Sequence, residues 1–96
     1  MNPLEILDGN KLIESIQFER IEVGTVIEKE YTLVNKSMWP VIKITITKHD
    51  EDLNIIHPNE MVGYGTSKIK IKWSPNISRR TPLTDEMVIN GVELIG

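Results

Sequence analysis

From Thr66 to Trp73 the chain reads Thr-Ser-Lys-Ile-Lys-Ile-Lys-Trp, so that Lys68, Lys70 and Lys72 alternate with Ile69, Ile71 and Trp73. A polar/apolar period of two is the pattern of a β-strand with one dry face and one wet face, because successive side chains of a strand point to opposite sides. The segment is predicted as a strand with its isoleucines in a core and a ladder of lysines outside. Isoleucine occurs 15 times and alanine not at all. β-branched side chains favour a pleated, half-buried surface over a helix, so the whole composition leans towards β-structure.

The same periodicity, with turn residues between segments, recurs along the chain. Ile16 to Val23 nearly alternates, with a break in phase between Phe18 and Ile21 that suggests a bulge. Residues 26 to 34 place Ile27, Tyr31 and Leu33 on one side and Glu28, Glu30 and Thr32 on the other. Val41 to Thr47 is expected to direct Ile42, Ile44 and Ile46 inward and Lys43, Thr45 and Thr47 outward. Leu53 to Ile56 reads as a short strand. Gly63 and Gly65 bracket a turn expected to use the positive φ open to glycine. Asn90-Gly91, inside Met87 to Leu94, favours a tight turn or a strand end. Residues 1–15 read as an N-terminal arm or hairpin around Asp8-Gly9-Asn10.

About seven short strands without a convincing helix predict an all-β fold, an immunoglobulin-like antiparallel β-sandwich over residues 16–96, with a small barrel as the competing architecture. A chain of 96 residues is expected to hold one domain and one core. A globule of this size hides only about 60 to 65% of the surface its unfolded chain exposes.

Composition narrows the chemistry. With no cysteine there is no disulfide framework, thiol nucleophile or thiolate metal site. Glu5, Asp8, Lys11 and Glu14 interrupt the first residues, so no signal peptide is read there, and no apolar run approaches the roughly 18 residues needed to cross a bilayer. A cytoplasmic or virion-associated location is expected, with no membrane partner. The net charge of -3 argues against general affinity for nucleic acid, which depends on a basic footprint. The charges cluster, however. Glu19, Glu22, Glu28 and Glu30 crowd the first third, and Lys43, Lys48, Lys68, Lys70 and Lys72 come later. If those strands belong to different sheets, the domain has an acidic side and a basic side.

No catalytic constellation emerges. His49-Asp50-Glu51-Asp52 offers oxygen ligands but lacks the glycine and distal glutamate of a calcium loop, and a solvated turn accounts for it. His49 and His57 are eight residues apart, without the helical spacing that joins two imidazoles on one metal. Gly63 to Lys68 has neither the spacing of a phosphate loop nor a helix after it. The chain is therefore expected not to be an enzyme and to carry no cofactor or metal. Three features are candidates for an interface. Lys68, Lys70 and Lys72 suit an acidic surface, or protect a sheet edge. Met38 and Trp39, in a turn before Pro40, suit an exposed anchor or a cap on the core. Arg79 and Arg80, in a long polar loop, suit a neighbour's carboxylates or solvent.

Several of these segments form an ordered set: Phe18 followed by Val23-Gly24-Thr25, Leu33-Val34-Asn35-Lys36-Ser37, Ile55 with Pro58, Gly65-Thr66 before Ile69 and Ile71, Trp73-Ser74-Pro75, and Ile89-Asn90-Gly91. In this order the chain resembles the ASH and major-sperm-protein group of immunoglobulin-like domains. The resemblance implies a noncatalytic sandwich used for protein contacts, as found in cytoskeletal and ciliary assemblies and, in related forms, on phage particles. The expected role is a structural or interaction subunit docking on a larger assembly, such as an accessory component of a virion capsid, neck or tail. A homo-oligomer is compatible with it. The alternative is a cytoplasmic adaptor of the sperm-protein type that binds a peptide or cytoskeletal partner.

Overall fold

The structure, a computed structural model, describes residues 2–18, 25–74 and 83–96. Strands follow one another along the chain: β1 Leu4–Asp8, β2 Lys11–Ile13, β3 Ser15–Phe18, β4 Ile27–Asn35, β5 Val41–Thr47, β6 Leu53–Ile56, β7 Thr66–Trp73, β8 Leu83–Glu86 and β9 Val88–Glu93. The described residues thus hold nine strand segments and no helix, where the sequence predicts about seven strands.

One layer is a five-stranded antiparallel sheet in the order β2-β1-β4-β7-β6. The other is made of the pairs β3-β8 and β5-β9, which are continuous because only Met87 separates β8 from β9. The two layers close on one apolar core, an antiparallel β-sandwich. Leu4, Ile6, Tyr31, Leu33, Leu53, Ile69, Ile71 and Trp73 enter it from the first sheet, and Ile16, Phe18, Val41, Ile44, Met61 and Met87 from the second layer. The rings of Phe18 and Trp73 meet across the layers with centroids 5.1 Å apart. Each large apolar side chain buried this way contributes about 1.5–3 kcal/mol.

Both lateral edges are managed by chain that changes layer. β2 pairs within the first sheet and β3 within the second, with only Glu14 between them. On the opposite side β6 pairs with β7, and a few residues later Met61 bridges Val41 of β5. Residues 4–13 form a hairpin closed by Gly9-Asn10, since Asp8 faces Lys11. Gly9 at φ +62 supplies the positive φ that the first loop position of such a turn demands. β1 also pairs with β4 from Leu4↔Asn35 to Leu7↔Thr32, so this segment is built into the sheet.

Three local expectations are corrected. Lys43 adopts φ 54 and the β5-β9 register shifts between Ile42 and Thr45. This bulge reverses the strand's phase: Val41 and Ile44 are buried, while Ile42 turns towards the surface. Asn90-Gly91 is not a turn but continuous strand opposite the bulge, and a Cβ on Gly91 would lie 2.5 Å from Val41 Cγ1. In the Gly63-Tyr64-Gly65 turn the positive φ belongs to Tyr64, at φ 57. Glycine is needed beside it for close approach, because a Cβ at Gly63 would lie 2.0 Å from the Met38 carbonyl oxygen. The bulge expected between Phe18 and Ile21 lies outside the described residues.

Candidate interaction surfaces

The lysine ladder lies on the outer face of the five-stranded sheet, as the alternation predicts, but its neighbours change its meaning. β7 pairs along its whole length with β4, with Glu30 opposite Lys70 and Glu28 opposite Lys72. Ion pairs run diagonally across this register: Lys68 Nζ to Glu30 Oε1 at 3.8 Å, and Lys70 Nζ to Glu28 Oε1 at 3.7 Å. Lys36 Nζ and Glu5 Oε1 add a third pair at 3.3 Å. The acidic and basic strands therefore sit side by side in one sheet, and the expected separation into acidic and basic sides is overturned for these residues. Exposed cross-strand pairs of this kind contribute about 0.2–1 kcal/mol each. An acidic partner would have to compete with glutamates already in place.

Edge protection does not account for Lys70 and Lys72, whereas Lys68 lies beyond the stretch that β6 covers. β7 is interior to the sheet, with β6 on its other side from Lys70 to Trp73. The lysine that covers an edge is Lys29, whose Nζ donates to the Gln17 backbone oxygen at 2.6 Å and lies 4.7 Å from the Phe18 ring centroid. By the two-residue period that oxygen faces away from β8, on the side of β3 that has no strand partner among the described residues, so the lysine blunts that edge.

At one end of the sandwich, two turns are locked together by Asn35, which is buried. Its Nδ2 donates to the Trp39 oxygen at 2.9 Å and the Val62 oxygen at 3.0 Å, and its Oδ1 accepts from the Ser37 N–H at 2.9 Å. Ser37 Oγ accepts from Trp39 N–H at 3.0 Å, and the Ser37 carbonyl accepts from Tyr64 N–H at 2.8 Å. On this rigid frame Met38, Val62 and Tyr64 stand out with 61%, 71% and 71% of their surface exposed, while Trp39 is half-buried. A shallow depression of about 310 Å³ lined by Pro40, Ile42, Val62 and Leu94 continues the apolar surface. Of the sequence candidates at this end, Met38 is exposed and Trp39 half-buried. Val62, Tyr64, Ile42 and Leu94 were not singled out by sequence. Two apolar residues in a glycine-rich turn were the available signal.

Asp85 is a second buried polar anchor. Its carboxylate accepts the backbone N–H of His49, at 3.1 and 3.0 Å, and of Asp50, at 2.9 Å. Asp50 Oδ1 in turn accepts from Asp52 N–H at 2.8 Å. The His49–Asp52 tip is thus an organised turn. Among the described residues no group of three or more His, Asp or Glu side chains is placed to hold a metal ion. A polar cleft of about 510 Å³ between β2, β3 and β4 contains Asp8, Lys11, Glu14, Gln17, Lys29 and Tyr31. Burial pushes the Tyr31 phenol above its ordinary value of 10.0, and the Asp8 carboxylate adds to the shift. Arg79 and Arg80 lie outside the described residues. Among those described, no helix is long and apolar enough to cross a membrane.

No family model, curated protein or solved structure matches the chain.

Proposed function

We propose that the protein is a noncatalytic interaction subunit, an immunoglobulin-like sandwich that docks on a larger protein assembly through the end carrying Met38, Val62 and Tyr64. Tyr64 carries this reading. A bulky residue at φ 57 costs about 1–2 kcal/mol relative to an ordinary backbone conformation. Its side chain, 71% exposed, returns nothing to the core. Strain held by a rigid frame around an exposed aromatic ring is the arrangement of a preformed contact, and Tyr is among the residues that dominate interface energetics. The adjoining Met38 and Val62 widen the apolar surface. The self-paired lysine ladder is a weaker candidate.

The assembly proposed is a virion, with this chain as an accessory component; that choice rests on the resemblance to immunoglobulin-like domains alone. The test is native co-purification from the source, with wild type compared with Tyr64→Asp, since aspartate tolerates a positive φ. Recovery of the wild type in fixed ratio with a large particle, and loss of the variant while its fold is retained, supports the reading. A monomeric wild type that joins no assembly contradicts it.

A further inference from the structure

Among the described residues, the second layer leaves one side of β9 without a strand. In an antiparallel pair, alternate residues direct their backbone groups to opposite sides. On β9, Leu94 N–H donates to the Pro40 oxygen, on the β5 side, at 2.8 Å. Met87 N–H donates to the Glu14 oxygen, on the β3 side, at 3.0 Å. Odd-numbered residues therefore face away from β5. β3 stops pairing at Ser15↔Glu86, so beyond Met87 no strand lies on that side among the described residues. The Ile89 carbonyl there accepts the Asn2 side-chain amide. Gly91 and Glu93 have no strand partner on it among the described residues.

Beside Val88 and Ile89 of this edge runs a groove of about 460 Å³ between β9 and the β1-β2 hairpin, and Glu93 further along lines a smaller pocket with Asn2, Pro3, Glu5, Lys36 and Ser37. The groove's floor is apolar, with Leu4, Ile6 and Met87, and its rim carries Leu12 and Val88, 51% and 49% exposed. The charged groups lining it are all carboxylates: Glu5, Glu14 and Glu86, with no lysine, arginine or histidine. Glu5 is paired with Lys36, whereas Glu14 and Glu86 make no ion pair among the described residues. Backbone groups with no strand partner among the described residues suit an extended chain, an apolar floor suits apolar side chains, and carboxylates with no ion pair among the described residues suit cations.

We propose that the open edge of β9 and its groove receive an extended segment of a partner protein in which apolar residues alternate with lysine or arginine, added as a strand alongside β9. Strand addition takes its affinity from main-chain hydrogen bonds and its specificity from side-chain pockets and charge. A second copy of this chain fits less well, because its own β9 would bring Glu93 towards Glu14 and Glu86. Asn2 is a placeholder on Ile89 that an incoming N–H would displace. Towards Glu93 the site adjoins Lys36 and Ser37 of the Asn35 frame, and it extends the reading of the protein as an interaction subunit without using the Tyr64 side chain.

The probe is a blocked peptide of about seven residues alternating valine and lysine, a usual strand length, followed by backbone amide NMR of the full chain. The expected result is slowed hydrogen exchange at the Gly91 and Glu93 amides. Glu14→Lys with Glu86→Lys should weaken binding about tenfold or more, and a valine/glutamate peptide should not bind. Glu93→Pro, which removes an open-side donor but no β5 hydrogen bond, should weaken binding with β5-β9 pairing intact. Tyr64→Asp should bind the peptide as wild type does, so failure here and failure of the Tyr64 docking end are read separately. Unchanged Gly91 and Glu93 amides at saturating peptide, equal binding of the acidic peptide, or a dimer formed through β9 without peptide would each overturn the proposal.

Discussion

The outer face of β4 and β7 and the end built by Asn35 are both exposed, and they differ in what their side chains already have. On the sheet face, Glu28 and Glu30 answer Lys70 and Lys68 within 4 Å, so the charges are largely compensated inside the molecule. At the end, backbone groups of both turns are satisfied through Asn35 and Ser37 while Met38, Val62 and Tyr64 remain largely exposed. A conspicuous charge pattern is thus a poor guide to an interface once its cross-strand neighbour is known. A quiet turn becomes informative when its frame is rigid and its side chains are left over.

The largest expected effect comes from removing the frame. Asn35→Ala deletes three hydrogen bonds from a buried site and leaves the Trp39 and Val62 oxygens without that donor; it should lower stability by about 3 kcal/mol in urea unfolding. Gly63→Ala drives a methyl against the Met38 carbonyl and should cost about 2 kcal/mol in the same measurement. Tyr64→Gly should leave stability unchanged or raise it by about 1 kcal/mol, because the strained φ is relieved and no core contact is lost. A marked loss there would show that the ring is structural after all. The smallest effect belongs to the sheet face. Glu28→Gln with Glu30→Gln should cost about 0.5–1 kcal/mol at low salt and less at high salt, since exposed pairs are screened.

Much of the architecture is legible in local patterns. The period of two in Thr66–Trp73 and Ile27–Asn35 assigns the buried faces, and Asp8-Gly9-Asn10 marks the hairpin turn. Periodicity says which face a residue occupies but not which strand lies beside it. For that reason the pairing of the glutamate strand with the lysine strand was out of reach. Ile42 was misplaced because one extra residue at Lys43 reverses the phase, and a bulge has no obligatory residue type. Gly91 reads as a turn residue until its closeness to Val41 is known. The bond from Asn35 to the Ser37 N–H is local, but the bond from Asn35 to Val62 spans 27 positions in the chain. Asp85 gave no signal, since an aspartate in a short strand resembles any solvated charge.

In the proposed function, contact is made through the Tyr64 end and not through the lysine ladder. The most direct test compares two variants in co-sedimentation with native particles from the source: Tyr64→Asp, and the triple change K68Q/K70Q/K72Q. The tyrosine variant should stay in the supernatant and the triple variant should sediment like wild type. Retention of the tyrosine variant with loss of the triple variant would contradict this reading and return the ladder to the centre of the function.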